Sequence, residues 1–152
     1  AVETDVRDAV EKRLAQAEGV IWTGSISRPE VYLGLVQASA LVNCSCSEGM
    51  PSVLLEAMEL RVPIFARAIP GNMSVVTHNQ TAYIFKDPLE FIAQASAYVE
   101  WIRTRTKMCG KDLDLRDPVE MVREAKEVVL KVHNEDIEAD CYQEMINANF
   151  PN

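Results

Sequence analysis

Ser45-Cys-Ser-Glu-Gly-Met-Pro-Ser-Val-Leu-Leu-Glu-Ala-Met-Glu-Leu-Arg-Val-Pro63 places one glutamate, Glu48, before a Gly-Met-Pro turn and a second, Glu56, eight positions later in an apolar segment. The periodicity of Val53, Leu54, Leu55, Ala57 and Met58 predicts a helix over Pro51–Leu60 that packs on a sheet. An ionised carboxylate in such surroundings is costly unless it reaches solvent or meets polar hydrogens. Helical side chains lean toward the N-terminus, so Glu56, on the second turn, points back at Glu48, Gly49 and Met50. Between the two carboxylates, the N–H groups near Ser52, Val53 and Leu54 and the helix dipole favour a phosphate. Gly49 lets a ligand come close to the backbone. The same residues also fit a plain helix start, because acidic side chains are common in first turns and Gly-Met-Pro can be simply the opening turn.

Outward from this stretch the elements alternate as in an α/β protein. An amphipathic helix over about residues 3–16 leads to a strand at Val20–Thr23. Ser27-Arg-Pro-Glu30 reads as a capping box that opens the next helix, and Ala40–Cys44 follows as a strand. After the central helix come a strand at Pro63–Ala66, a short helix at Asn72–Thr77 and a strand at Ala82–Phe85. Asp87-Pro-Leu-Glu90 and Asp117-Pro-Val-Glu120 are cap signatures with proline at the first helical position, opening helices to about Arg105 and Val132. A polar connector, Cys109–Asp114, separates them, and Glu135–Ala148 reads as a final helix.

With 152 residues, 48% hydrophobic and 25% charged, the chain is long enough for a globular core. It has no apolar run of membrane-spanning length and no visible signal sequence. A formal net charge of -8 argues against non-specific nucleic-acid binding, so no nucleic-acid partner is expected. Backbone dipoles can still hold a diphosphate on such a surface. Arg103, Arg105 and Lys107 read as a solvated helix end. Cys44, Cys46, Cys109 and Cys141 lack the spacing of a metal set, and His78 and His133 have no metal or nucleophile context. Reduced thiols favour the cytosol. Asn43-Cys-Ser, Asn72-Met-Ser and Asn79-Gln-Thr match the glycosylation acceptor pattern, and read as chance because Asn43 falls on a core strand.

The stretch Glu48–Glu56 resembles the Glu-x7-Glu motif of the retaining glycosyltransferases of the two-domain B fold, called group 1 or family 4. The flanks resemble the family too: Val20-Ile-Trp-Thr-Gly-Ser-Ile26, Val31–Ala38 and Ala40–Val42 before it, and Val62–Ala66, Pro70-Gly-Asn72 and Ala82–Phe85 after it. The resemblance covers roughly residues 20–100. It implies a Rossmann-like parallel sheet with helices on both faces, the C-terminal, donor-binding half of such an enzyme, followed by C-terminal helices. The expected organisation is a partial nucleotide-sugar-binding domain at 1–105 and a helical extension at 106–152. In a doubly wound order 3-2-1-4-5-6 the four strands correspond to the third to sixth. The first two strands, the N-terminal domain with the acceptor site and the basic phosphate-binding segment are then expected elsewhere in a longer protein, and this chain alone is expected to be inactive.

The resemblance implies a role for each matching residue. Glu48 orients the donor sugar, as the candidate catalytic residue rather than a nucleophile. The backbone of Gly49, Met50, Pro51, Ser52 and Val53 lies against sugar and diphosphate, Leu54 sits beside the nucleoside and Glu56 accepts from the ribose hydroxyls. Ser25 and Ile26 lie near the base. The implied reaction is glycosyl transfer from a nucleotide sugar to an unknown acceptor hydroxyl with retention, with no metal and no other cofactor. Two positions depart from the family pattern. Arg61 replaces a glycine at the end of the central helix, and His78-Asn79-Gln80-Thr81-Ala82 loses both glycines of a turn, although Asn tolerates positive φ. These departures motivate an alternative, a non-catalytic nucleotide-sugar-binding module; a sugar-nucleotide epimerase of the same fold is a third reading.

Overall fold

A computed structural model describes residues 2–105, 109–110 and 113–132, divided into two units at 1–33 and 34–152. In the first unit α1 (Val2–Ala15) precedes a connecting segment, after which α2 (Arg28–Gln37) begins. The capping box forms as expected: the Ser27 amide and hydroxyl both donate to Glu30 Oε2 at 2.7 Å. These bonds hold the Glu30 carboxyl below the usual carboxylate range, the hydroxyl contributing most. The expected strand Val20–Thr23 does not form. It has no regular secondary structure and joins no ladder among the described residues, and Ile21 is 88% exposed. A strand exists through its neighbour. In the doubly wound order the third strand lies beside the second, for which the sequence reading finds no segment.

The second unit is an α/β layer structure. Three parallel strands, β1 (Leu41–Asn43), β2 (Ile64–Arg67) and β3 (Tyr83–Phe85), pair in the order β1-β2-β3, with Leu41 opposite Ile64 and Phe65 opposite Tyr83. Between them run α3 (Ser52–Glu59) and the single turn α4 (Pro70–Met73). Successive side chains on a strand point to opposite faces, so the burial of Ile64, Phe65 and Ala66 in a row shows that both faces of β2 are covered. On one face Phe65 and Tyr83 meet α5 (Pro88–Thr104) through Tyr98 and Trp101, with the Phe65 and Tyr98 rings 5.5 Å apart edge to face. Asp87 caps α5, its Oδ1 accepting from the amides of Leu89 and Glu90.

Beyond α5 the expected polar connector contains a two-stranded hairpin, β4 (Cys109–Gly110) with β5 (Leu113–Asp114). Then α6 (Pro118–Val132) lays Met121, Ala125 and Val129 inward and packs against α3. The expected final helix at 135–148, with Cys141, and His133 lie outside the described residues. No helix among the described residues is long and apolar enough to cross a membrane.

Both left-handed substitutions behave as the chemistry of their turns requires. Arg61 has φ 58°, and the Val62 amide donates to Ala57 O at 2.8 Å while the Arg61 amide donates to Met58 O at 3.2 Å. That is a Schellman cap closed by arginine in place of glycine. Asn79 has φ 59°, so the altered turn keeps a positive φ without glycine. The short helix begins earlier than Asn72. Pro70 occupies its first turn, and Ser74 Oγ, donating to Gly71 O at 2.8 Å, closes it before Thr77.

At the β3 edge, Tyr83 and Phe85 bond toward β2, leaving the main chain of Ile84 facing outward. Side chains take both of its groups: Ile84 N–H donates to His78 Nδ1 at 2.9 Å, and Gln94 Nε2 donates to Ile84 O at 2.9 Å.

Candidate functional site

Parallel strands share one carboxyl end, and in open α/β sheets that end is where loops form binding crevices. Here it carries the loop from Cys44 to Pro51, after β1, and Ala68–Pro70, after β2. The two meet closely. A Cβ built on Gly71 would lie 2.2 Å from the Glu48 carbonyl oxygen and 2.9 Å from the Glu48 Cβ, so only glycine fits there. Glu48 is half-buried, Gly49 and Met50 are exposed, and no atom lies within 4 Å of a Cβ built on Gly49.

Pro51 precedes α3 as its N-cap residue, and a proline side chain supplies no capping acceptor. Leu54 N–H donates to Pro51 O at 3.0 Å, so it is already occupied, unlike the free group expected there. The amides of Ser52 and Val53 precede any intrahelical acceptor and face the end of the helix. Ser52 is exposed and Val53 and Glu56 are half-buried. Leu54 is fully buried and Pro51 is buried. Leu54, Ala57 and Met58 form the inward stripe of α3, so the Leu54 side chain lines the core. Ser25 and Ile26 belong to the first unit, where both are exposed.

Sequence reasoning assigned no role to three residues that the fold brings to this loop. Arg67, the last residue of β2, donates from Nη1 to Cys46 Sγ at 3.1 Å, placing a cation beside the loop two residues before Glu48. Cys44 and Cys46 are exposed free thiols. Asn43 and Asn72, 7% and 0% exposed, meet behind the loop, Asn72 Nδ2 donating to Asn43 Oδ1 at 3.3 Å and to Arg67 O at 2.9 Å. Their burial also explains why two of the three acceptor patterns are unavailable to a modifying enzyme in the folded chain. An asparagine ending the apolar run Ala40-Leu-Val calls for a buried partner, but nothing local in the sequence names Asn72 as that partner.

Comparison with known proteins bears on the family of the chain. The family description "Glycosyl transferases group 1" matches residues 5–112, a span that includes the whole Glu48–Glu56 stretch. Glycosyltransferase 1 domain-containing protein 1 of Xenopus tropicalis is 34% identical over 137 residues, 90% of this chain and 36% of that protein. The putative teichuronic acid biosynthesis glycosyltransferase TuaC of Bacillus subtilis (strain 168) is 33% identical over 90 residues, 59% of this chain and 23% of that protein. The chain thus spans about a third or less of the length of these relatives. The family match covers more than half of the chain and fits its α/β fold, and the chain belongs to the group 1 glycosyltransferases.

Proposed function

We propose that this chain is the donor-binding part of a glycosyltransferase that moves a sugar from a nucleotide sugar to an acceptor hydroxyl with retention of anomeric configuration. The observation that carries the reading is the loop at the carboxyl end of β1, where half-buried Glu48 is followed by the start of α3, with no side-chain cap hydrogen bond at Pro51. A diphosphate is the ligand that such a helix end favours, since amide donors and the dipole act together on it. Arg67 adds a positive charge next to the same loop. In this reading Glu48 orients the sugar hydroxyls, Gly49 and Met50 leave the backbone open to the sugar, Ser52 and Val53 donate to the diphosphate and Glu56 accepts from the ribose diol. Stabilisation of the departing diphosphate is the catalytic contribution, and no metal is required for it. The acceptor is held by another part of the protein, and the chain alone does not turn over. A cytosolic setting belongs to the same proposal, in keeping with exposed free thiols at Cys44 and Cys46.

The departures from the family pattern give no ground for a lost activity. Arg61 and Asn79 keep the left-handed backbone that glycine would supply, so the frame around the site is intact. The test is calorimetric titration of the protein with uridine, guanosine and adenosine diphosphates and their sugars, beside Glu56→Ala. One nucleotide is expected to bind, weakened by about 1–3 kcal/mol in the variant through loss of charged hydrogen bonds. Failure of the folded protein to bind any of them would overturn the donor-site reading.

A further inference from the structure

We infer that Asn43 and Asn72 are positioning residues: a buried amide latch that sets the loop carrying Glu48. The inference rests on the donor-site reading for its functional meaning, and on hydrogen bonds alone for its existence. Four groups form one chain. Asn72 Nδ2 donates to Arg67 O at 2.9 Å and to Asn43 Oδ1 at 3.3 Å, and Asn43 Oδ1 also accepts from Ser45 N–H at 3.1 Å. Both hydrogens of the Asn72 amide and both lone pairs of the Asn43 oxygen are therefore used. The latch ties together the end of β2, the single turn of α4, the end of β1 and the first residues of the loop.

The orientation of the Asn72 amide follows from its neighbours. Rotating it would set its oxygen against two other oxygens, Arg67 O and Asn43 Oδ1, so the donor must face them. The consequence is that Asn72 Oδ1 is buried with no hydrogen-bond partner among the described residues. Such a group is costly, and the two hydrogen bonds donated by the same amide offset that cost. What those bonds hold in place is visible three residues along the loop. Ser45 is fixed by Asn43, and Glu48 is fixed by its close approach to Gly71, the residue beside Asn72. The loop is thus held at Ser45 through the Asn43–Asn72 pair and at Glu48 by Gly71, so the segment between those two points has little freedom.

The test compares Asn72→Leu, Asn43→Ala and Asn43→Asp with the parent by hydrogen exchange of the full chain and by titration with uridine, guanosine and adenosine diphosphates. In Asn72→Leu and Asn43→Ala, amides of Ser45–Met50 are expected to exchange tenfold faster or more, with those of α5 and α6 unchanged, and affinity for the bound nucleotide to fall about tenfold or more. Asn43→Asp keeps the acceptor for Ser45 and Asn72, so it should restore slow loop exchange and most of the affinity. Unchanged loop exchange in both Asn72→Leu and Asn43→Ala overturns the latch, as does an aspartate that behaves like alanine. Should Asn72→Leu not fold, the Asn43 pair decides. If the parent binds no nucleotide, the donor-site reading fails, while the exchange data still decide whether the latch holds the loop.

Discussion

Replacing Gly71 by alanine should separate the position of the Glu48 loop from the integrity of the sheet. The new methyl carbon would stand 2.2 Å from the Glu48 carbonyl oxygen, whereas real Cβ contacts under 3.0 Å essentially do not occur. The oxygen or the turn must therefore retreat by at least about 0.8 Å, the gap between those two distances. The atom in the way is main chain, so no side chain can swing aside to relieve it. Overpacking of this kind costs about 1–3 kcal/mol. For a chain of this length that is a loss of about 2–12 °C in melting temperature, at about 2–4 °C per kcal/mol. Thermal melting of Gly71→Ala should show that loss and nucleotide titration a weaker affinity, with faster amide exchange confined to the Cys44–Pro51 loop and α4. Gly49→Ala is the control for melting and loop exchange alone, since a Cβ there meets no atom within 4 Å. An unchanged melting point and unchanged loop exchange in Gly71→Ala would refute the claim that this contact sets the loop.

Other expectations follow from the caps and the core. Arg61→Gly removes left-handed strain of about 1–2 kcal/mol and adds about 0.5–1 kcal/mol of unfolded-state entropy, so urea unfolding should show a net change between about 0 and 1.5 kcal/mol in the stabilising direction; a loss would mean that the arginine side chain stabilises the cap by its own contacts. Burial, then the charges of Tyr98 and Asp117, raises the Tyr83 phenol well above its ordinary value of 10.0. A group raised in the folded state stabilises fully below its unfolded value and loses that contribution as pH climbs above it, so urea midpoints should fall beyond about pH 10. Tyr83→Phe should fall less steeply there, yet be weaker at neutral pH by about 0.5–1.5 kcal/mol through the lost bond to Arg116 O; parallel pH curves would contradict this. Glu30 is lowered by Ser27, so its contribution is present above the unfolded carboxylate value of 4.5 and is lost as pH falls through the lower folded value. Amide protection at Ser27 should drop on acidification in the parent and already be absent in Glu30→Ala at neutral pH. Acid-independent protection in the parent would count against the capping box.

The parts of the fold that were legible are those with local chemistry behind them. Asp87-Pro-Leu-Glu90 and Asp117-Pro-Val-Glu120 begin helices because each aspartate accepts amide bonds two residues on, and both helices stand where the sequence places them. Periodicity likewise located β1, β2, β3 and α3. It failed at Val20–Thr23, whose pattern is strand-like but whose structure depends on a neighbour that pattern cannot report. At Leu54 it held, since the spacing to Ala57 and Met58 marks the core position that the side chain occupies. At the candidate site, the loop and helix start were legible because a Gly-Met-Pro turn before an apolar helix has a local cause. Gly71, Arg67 and the Asn43–Asn72 pair were not, since their roles arise from contacts 21 to 29 residues apart in the chain.

The two borders of the three-stranded sheet are chemically unlike. At β3 an imidazole and an amide already occupy the outward main-chain groups of Ile84, so an incoming strand would have to break two bonds before making one. At β1 the outward residue is Val42, 46% exposed, with no such cover among the described residues. Growth of this sheet by strand addition is therefore one-directional. In a doubly wound order the strand added at that border is the first one, which the resemblance expects elsewhere in a longer protein, so Leu41–Asn43 is the edge at which it would pair.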